Sequence, residues 1–314
     1  MPSIPVFPQR LVLEAITPLD AIERVREGFV EYASGDWEMP PKVYLDAPPG
    51  DFRAMPAQGG GIAILKWVTS FPDNPAAGLP VVMGMICVSS SADGQPLALV
   101  DVRSVTALRT GAVAAVAAQE LAREDAQTVG IIGCGLHGSW AARCLAAAEY
   151  GPGICFDPDP DAAGRLAGEL GWEAGGRDDA LACDVVTCVT PGSEPVVRSA
   201  DLRPGTHFNM LGADGPGKAE AEVEAVAACE LFCDEWAQAS HGGELTGAVE
   251  AGLVERGRVT QLGDVLTGRV PGRSAADAVT LFDSTGLAIQ DLALCLALLA
   301  AQRAGAVKPS TLEL

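Results

Sequence analysis

The spacing of apolar residues divides the chain into two regions with different periodicities. Near the N-terminus, apolar residues recur at helical spacing after Thr17 and predict an amphipathic helix. Segments rich in proline and glycine then separate short extended stretches, of which residues 61–69, 81–89 and 97–102 have the pattern of strands. From Thr128 onward, buried strands alternate with helices, one of which is predicted over residues 219–228. This alternation predicts an α/β protein in which a parallel, doubly wound sheet follows an α+β domain.

Two long helices are predicted outside this alternating pattern. An alanine-rich helix begins at Ser104 and ends at about Arg123, and a strongly apolar helix over residues 287–304 follows the last strand, residues 279–283. A helix that is apolar on all sides must be buried. We expect the helix over residues 287–304 either to complete the first domain or to lie in an interface.

A glycine-rich turn opens the second region. Residues 128–132 have the pattern of a buried strand, Gly133, Gly135 and Gly138 form G-x-G-x-x-G, and residues 139–148 form a helix of small residues. The first glycine permits a tight turn, the second lets the backbone approach a pyrophosphate, and the third lets the helix pack against the strand. The N–H groups at the start of the helix then face the phosphates. The flanking strand and helix favour a dinucleotide-binding unit over a helix-capping loop that binds nothing.

The next predicted strand ends in an acidic residue at a suitable distance from the glycines. Asp157 lies 24 residues after Gly133, near the position of a carboxylate that binds the ribose. Asp159 and Asp161 follow it, and together these carboxylates would repel a 2′-phosphate. The sequence therefore predicts NAD rather than NADP.

Lys66 interrupts the apolar face of a predicted strand. It shares that face with Ile62, Ile64 and Val68 because side chains alternate along a strand. A buried lysine costs free energy unless it lines a cavity or is paired. We expect Lys66 to face a cavity, and the alternative is an edge strand from which its ammonium reaches solvent.

Three further charged residues are candidates for chemistry. Asp214 follows the predicted strand 206–211 in a glycine-rich loop, where an acid can meet a substrate, although a turn-forming aspartate has the same pattern. Lys42 and Arg53, if they converge with Lys66, form a cationic pocket that suits a small carboxylate. A lysine whose pKa is lowered by burial or by neighbouring cations can exchange protons. Without convergence, each of these is a surface charge.

Composition narrows the classes of partner. The net charge of −20 disfavours nucleic acids and anionic membranes as partners. The sequence contains no uninterrupted apolar stretch of roughly 20 residues, which a membrane span requires, and no secretory signal pattern, so we expect a cytoplasmic protein. Its nine cysteines include no C-x-x-C motif, and its three histidines show no metal-binding spacing, so no metal site is expected.

Several segments resemble the ornithine cyclodeaminase/μ-crystallin family, and most of all its branch of archaeal-type NAD-dependent alanine dehydrogenases. They occur in the family's order over nearly the whole chain. The matching segments are residues 39–45 (MPPKVYL), 50–56 (GDFRAMP), 66–68 (KWV), 108–111 (LRTG), 133–135 (GCG), 212–218 (GADGPGK), 241–244 (HGGE) and 282–291 (FDSTGLAIQD).

The resemblance implies a domain organisation and an assembly. It implies a substrate-binding and dimerisation domain of residues 1–115, completed by residues 287–314, and a Rossmann NAD-binding domain of residues 116–286. It also implies a homodimer.

The resemblance further implies roles for individual residues. Lys66 would be the proton donor and acceptor, Asp214 would act on the amine or imine, and Lys42 and Arg53 would hold the substrate carboxylate. The implied cofactor contacts are Arg109, Gly133, Cys134, Gly135, Leu136, Gly138, Asp157, Thr190 and Ser284.

The activity implied is NAD-dependent oxidative deamination of a small L-amino acid, with L-alanine, pyruvate and ammonia as the expected reactants. Lys42 and Gly215 favour this branch, because cyclodeaminases and μ-crystallins typically carry Arg and Cys there. Thr69 and Phe71 depart from the Asn and His that this branch usually has nearby. The alternatives are a ketimine reductase acting on pyrroline-2-carboxylate, an ornithine cyclodeaminase, and a non-catalytic NAD(P)H-dependent binding protein of the μ-crystallin kind.

Overall fold

The computed structural model describes residues 3–192, 194–215 and 217–313. Pro216 of the glycine-rich loop lies outside the described residues. The chain separates into two compact units. The first unit comprises the residues up to Arg109 together with those from Ala288 onward, and the second unit is Thr110–Leu287.

Strands and helices cover most of both units. Within the described residues, the elements in chain order are β1 (Ser3–Phe7), α1 (Gln9–Ala15), α2 (Pro18–Ser34), β2 (Val43–Ala47), β3 (Gly50–Gly59), β4 (Ile62–Ser70), β5 (Val82–Ser90), β6 (Pro96–Asp101), α3 (Val102–Leu121), β7 (Val129–Ile132), α4 (Leu136–Ala147), β8 (Gly153–Phe156), α5 (Pro160–Leu170), β9 (Glu173–Ala174), α6 (Arg177–Leu181), β10 (Val185–Cys188), β11 (His207–Met210), α7 (Val223–Ala228), β12 (Glu230–Cys233), α8 (Trp236–Gly242), α9 (Thr246–Glu250), β13 (Val259–Gln261), α10 (Leu262–Leu266), β14 (Thr280–Asp283), α11 (Ala288–Arg303) and β15 (Ser310–Glu313). None of the helices in these described ranges is long and apolar enough to cross a membrane.

The first unit is a sheet with helices on one face. The sheet order is β15-β1-β6-β5-β4-β3-β2, and all neighbours are antiparallel except β1 and β6. The apolar helix α11 packs against α2, β3 and β4. On β4, the side chains of Ile62, Ile64, Lys66 and Val68 are all buried, which confirms the predicted shared face.

Helix α2 begins and ends as its sequence predicts. The Thr17 hydroxyl accepts a hydrogen bond from the Asp20 N–H at 3.2 Å, and the Asp20 carboxylate accepts one from the Thr17 N–H at 2.9 Å. Gly35 ends the helix in the left-handed conformation, with φ of 85°.

The second unit is built on a sheet in which all the described strand pairs are parallel. Its strand order is β13-β12-β14-β11-β10-β7-β8-β9. This confirms the predicted doubly wound sheet. The chain passes from β7 to β8 on one side, whereas β10 lies on the other side of β7, so the carboxyl ends of β7 and β10 form the switch point where such folds bind ligands.

Two local predictions were wrong, and two strands were missed. Helix α3 begins at Val102 rather than Ser104, because the Asp101 carboxylate accepts the Ser104 N–H at 2.8 Å and caps the first turn. The predicted helix over residues 219–228 begins only at Val223, because Ala221 is extended and bridges Val197. The strands at the two ends of the chain, β1 and β15, pair with each other and were not predicted.

Candidate active site

In the first unit, Lys66 is fully enclosed and hydrogen-bonded. Its side chain is 1% exposed, and its Nζ donates to Asp291 Oδ1 and to Thr106 Oγ1, both at 2.8 Å. Helix α11 supplies Asp291, and the first turns of α3 supply Thr106. The interruption of the apolar strand face is therefore balanced by a carboxylate and a hydroxyl from two helices.

A second cation lies close to the same carboxylate. Arg109 Nε is 3.8 Å from Asp291 Oδ1, and Arg109 Nη1 donates to Gln290 Oε1 at 3.1 Å. Among the described residues, the buried Asp291 Oδ2 accepts no hydrogen bond. The buried cluster thus places two positive groups beside one carboxylate, and it brings the predicted residues Lys66 and Arg109 together.

This environment lowers the pKa of the Lys66 ammonium group. The pKa of Lys66 is lowered from its ordinary value to about 8, chiefly by burial; Asp291 opposes this fall, and nearby Arg109 and Arg53 contribute to it. A lysine with this pKa exchanges protons readily near neutral pH.

The two residues expected to bind a carboxylate come from neighbouring strands of the same sheet. Arg53 lies on β3 opposite Val68 and shares the buried face with Lys66. Its Nε and Nη2 donate to the two carboxylate oxygens of Asp51 at 2.6 and 3.2 Å, and its guanidinium lies 5.5 Å from the ring centre of Tyr44. Lys42 is half-buried and directly precedes β2, the strand that pairs with β3.

In the second unit, the glycine-rich turn has the geometry of a phosphate cradle. Gly133 has φ of 96°, and a Cβ built at Gly138 would lie 1.8 Å from the Gly133 carbonyl oxygen. A Cβ built at Gly135 would meet no atom within 4 Å. Gly133 and Gly138 therefore shape the backbone, while Gly135 leaves space at the start of helix α4, whose first residue is Leu136. These features fit the pyrophosphate of a dinucleotide.

Asp157 is fixed beside this turn. Its Oδ2 accepts the N–H of Cys134 at 2.7 Å, and its Oδ1 accepts the N–H of Asp159 at 2.9 Å. A carboxylate has about four acceptor positions, so Asp157 keeps acceptor capacity for ribose hydroxyls.

The remaining candidates of the second unit follow strands β10, β11 and β14. Thr190, Asp214 and Ser284 therefore lie at the carboxyl edge of the parallel sheet. Asp214 is paired with Lys218 Nζ at 2.5 Å, and Ser284 Oγ donates to Asp234 Oδ2 at 3.3 Å. Among the described residues, no group of three or more His, Cys, Asp or Glu side chains is placed to hold a metal ion.

Two buried glutamates at this edge were not among the predicted site residues. Glu220 accepts backbone N–H groups from Thr190 and Gly212, and Glu244 accepts those of Glu220 and Ala221. Burial raises the pKa of Glu220 to about 7, and burial together with the neighbouring Glu220 raises that of Glu244 to about 8. Glu244 belongs to the segment HGGE, but Glu220 lies in the segment predicted as helix.

Asp291 was also missed, although the sequence contains a signal for it. The segment 287–304 is apolar on all sides, and apart from Arg303 near its end Asp291 is its charged residue. The argument that singled out Lys66 on β4 applies equally to an acid in this helix.

The chain is similar to known proteins over nearly its whole length. The sequence pattern of the ornithine cyclodeaminase/mu-crystallin family matches residues 8–300. An alanine dehydrogenase of Archaeoglobus fulgidus is 40% identical over 295 residues, which are 92% of each chain. An archaeal alanine dehydrogenase, solved as a dimer with bound NAD, superposes with a TM-score of 0.95 at 38% identity over 99% of each chain.

A related imine reductase has the same fold. The Δ1-pyrroline-2-carboxylate reductase of Thermococcus litoralis, solved with NADH and L-proline, gives a TM-score of 0.92 at 26% identity, covering 99% of this chain and 100% of that one. Sequence and structure agree on one conclusion: the chain belongs to the ornithine cyclodeaminase/mu-crystallin family.

Proposed function

We propose that this protein is an NAD-dependent amino acid dehydrogenase that interconverts a small L-amino acid with its keto acid and ammonia, with L-alanine and pyruvate as the leading pair. The observation that carries the proposal is the enclosed Lys66, paired with Asp291 and with its pKa lowered to about 8. The relative with the highest identity quoted above is an alanine dehydrogenase.

NAD fits the second unit by three features. The open space at Gly135 would receive the pyrophosphate, Asp157 would accept the ribose hydroxyls, and Thr190 and Ser284 lie at the same sheet edge. The run of aspartates that begins at Asp157 favours NAD over NADP. When bound, NAD supplies the hydride acceptor for the substrate Cα–H bond.

The residues of the chain would move the protons. Loss of a hydride and a proton converts the amine to an imine, and Asp214 would act on the amine nitrogen. Neutral Lys66 would accept one proton of the water that adds to the imine carbon and pass it to the nitrogen. It would then transfer the hydroxyl proton of the adduct to the nitrogen as the carbonyl forms and ammonia leaves. Asp291 and Thr106 would hold Lys66 Nζ in position through both transfers.

Substrate orientation would depend on two cations. Arg53 and Lys42 would hold the substrate carboxylate, because Arg53 on β3 shares the buried face with Lys66 and Lys42 directly precedes β2, which pairs with β3. Arg109, held by Gln290, would bind the cofactor phosphates. Fixing the carboxylate fixes Cα, which is the positioning part of the rate enhancement.

A homodimer is part of the proposal. The sheet face of the first unit opposite to Lys66 exposes Leu65 and Met85, 44% and 49% accessible, and the adjoining β2 exposes Val43 and Leu45. An apolar sheet face of this kind marks an interaction surface, and its occupant would be a second copy of the chain. The archaeal alanine dehydrogenase of the same fold is a dimer.

The test is NADH oxidation by the purified protein with two substrate sets. Pyruvate with ammonium is compared with pyrroline-2-carboxylate without ammonium. We expect faster turnover with pyruvate and ammonium. Turnover with the cyclic imine alone would make the protein a ketimine reductase; the Thermococcus litoralis relative is a Δ1-pyrroline-2-carboxylate reductase.

If neither substrate set is turned over, the next assay uses ornithine with NAD, which tests for the reaction of a cyclodeaminase. If ornithine also fails while NADH binds, the protein is a cofactor-dependent binding protein. The presence of both Lys66 and Asp214 favours an enzyme, because a binding protein has no need of two proton-handling groups.

A further inference from the structure

Two backbone N–H groups at the carboxyl edge of the second sheet point to one buried carboxylate. Glu220 Oε1 accepts the N–H of Thr190 at 2.5 Å, and Glu220 Oε2 accepts the N–H of Gly212 at 2.7 Å. The Glu220 side chain is completely buried, and within the described ranges neither it nor Glu244 forms an ion pair with a lysine or arginine.

The two N–H groups belong to the loops that follow adjacent strands. Thr190 follows β10 and is a candidate cofactor contact, while Gly212 opens the loop after β11 that carries Asp214. The loops are closely packed at this point, since a Cβ built at Gly212 would lie 2.3 Å from the Thr190 carbonyl oxygen and 2.6 Å from Glu220 Cδ. The carboxylate therefore joins the start of one loop to the start of the other.

Glu244 holds the backbone of Glu220 in turn. Its Oε1 accepts the N–H groups of Glu220 and Ala221 at 3.0 and 2.7 Å, and its Oε2 accepts that of Glu220 at 2.9 Å. The segment that precedes Glu244 also approaches the Asp214 loop, because a Cβ built at Gly242 would lie 3.7 Å from Gly215 Cα. The second carboxylate thus fixes the segment from which the first one reaches the loops.

Carboxylates buried without a cation cost free energy, and well-packed apolar side chains would fill the same volume at lower cost. We propose that Glu220 is a positioning residue whose carboxyl group ties the loop of Thr190 to the loop of Asp214, with Glu244 holding it in place. Through this tie, Glu220 sets the position of Asp214 relative to the cofactor-binding edge. The inference rests on the proposed function for the role of Asp214.

The test compares Glu220→Gln with Glu222→Gln. A glutamine at 220 accepts one of the two N–H groups and turns its own NH₂ group toward the other, so the tie is broken on one side. Glu222 lies two residues away, and its carboxylate accepts the Ser199 N–H at 3.0 Å, so it holds neither the Thr190 nor the Gly212 N–H. Both variants remove one potential negative charge.

Three quantities are measured for wild type and both variants: kcat per NADH-binding site, the isotope effect with NADH deuterated at the transferred position, and hydrogen exchange of peptides that contain Thr190 and Gly212. For Glu220→Gln we expect kcat to fall by about 10–100-fold, since small misplacements of reacting groups have effects of this size. We also expect a larger isotope effect and faster exchange in both peptides, with Glu222→Gln unchanged.

Unchanged exchange in both peptides would overturn the proposal. So would a loss of kcat with the wild-type isotope effect, because a merely less stable enzyme loses active molecules without slowing the chemical step. If Glu220→Gln does not fold, Glu220→Asp replaces it, since its shorter carboxylate reaches only one of the loops and the same changes are expected. If the wild type turns over none of the substrates, the proposed function fails, and the exchange data still decide whether Glu220 ties the loops.

Discussion

The two units hold buried charge in different ways. In the first unit, Lys66 is surrounded by protein but has an opposite charge 2.8 Å away in Asp291. In the second unit, Glu220 and Glu244 are held by backbone N–H groups, and the neighbouring Glu220 raises the pKa of Glu244. The first arrangement stabilises a charge with a counter-ion, and the second stabilises charges with dipoles alone.

The comparison shows how both arrangements reach proton exchange near neutral pH. Burial lowers the pKa of Lys66 to about 8, and Asp291 prevents a larger fall. Burial raises the pKa of Glu220 to about 7 and that of Glu244 to about 8, with backbone N–H groups opposing the rise. The lysine is therefore suited to chemistry, whereas the carboxylates link the protonation of the protein to its stability and to the geometry of two loops.

The largest effect is expected for Lys66→Met, which keeps the volume and removes the titrating group. Turnover should fall by about 10²–10⁴-fold, the usual contribution of a general acid and base, while NADH binding measured by fluorescence is unchanged. Lys308→Met is the matched control, because Lys308 is exposed in the same unit. Retention of turnover would show that Lys66 takes no part in the mechanism, and the contrast between a catalytic lysine and structural carboxylates would then fail.

Asp291→Asn removes the counter-ion alone. The asparagine oxygen can take the place of Oδ1, and its NH₂ group can take the place of Oδ2, which accepts no hydrogen bond from the described residues. The pKa of Lys66 should fall further, so the rise of deamination rate with pH should occur at lower pH. Removing one partner of a buried ion pair typically costs about 3–5 kcal/mol.

The size of this loss of stability depends on pH. A buried lysine with a lowered pKa destabilises the fold most at low pH, where it must be charged. This cost in free energy declines as the pH rises toward the ordinary pKa of lysine. Urea denaturation should therefore show that Asp291→Asn loses more free energy of unfolding at pH 6 than at pH 9. The exposed Asp36→Asn should lose none at either pH. Equal losses at both values would mean that Asp291 does not act as a counter-ion.

From the sequence, Lys66 could be predicted as a site residue, whereas its partner Asp291 and the buried Glu220 could not. Lys66 could be identified because a charge at position 66 breaks a two-residue alternation that is local to β4. Its partner could not, because Asp291 is 225 residues away and only tertiary packing brings α11 to the strand. The parallel sheet was predictable from the alternation of strands and helices, but not the insertion of β14 between β11 and β12, which depends on pairing between distant segments.

Glu220 was missed for a related reason. Residues 219–228 have helical composition, so Glu220 was expected on a helix. Its segment is extended because its backbone bonds to Val196, Val197 and Glu244. Local propensity is overridden there by contacts that the sequence does not reveal.

The raised pKa values of Glu220 and Glu244 predict that the free energy of unfolding falls as the pH rises. A carboxyl with a raised pKa keeps a proton in the folded state that the unfolded state releases, so its stabilisation is complete below about pH 4.5 and is lost as the pH rises to about 8. The loss is on the order of 3 kcal/mol for Glu220 and 5 kcal/mol for Glu244. Thermal denaturation between pH 5 and 8 measures it.

Glu244→Gln sharpens this prediction, because its amide oxygen can still accept the N–H groups of Glu220 and Ala221. The decline of melting temperature with pH should be shallower in Glu244→Gln than in wild type. Glu222→Gln, with the same change of formal charge, should decline as the wild type does. A parallel decline in all three proteins would show that the pair does not couple stability to pH.

The smallest effect is expected for Thr106→Val, which removes the neutral partner of Lys66 and leaves Asp291 in place. A neutral hydrogen bond contributes about 1 kcal/mol, so turnover should fall several-fold, and Thr106→Ser, which keeps the hydroxyl, should restore it. Steady-state kinetics of the two variants beside Asp291→Asn measure the difference between a dipole and a charge at the same 2.8 Å from the same Nζ. If Thr106→Val matched Asp291→Asn in turnover and in pH profile, dipoles would serve Lys66 as well as a counter-ion does. The two units would then hold buried charge by one principle rather than two.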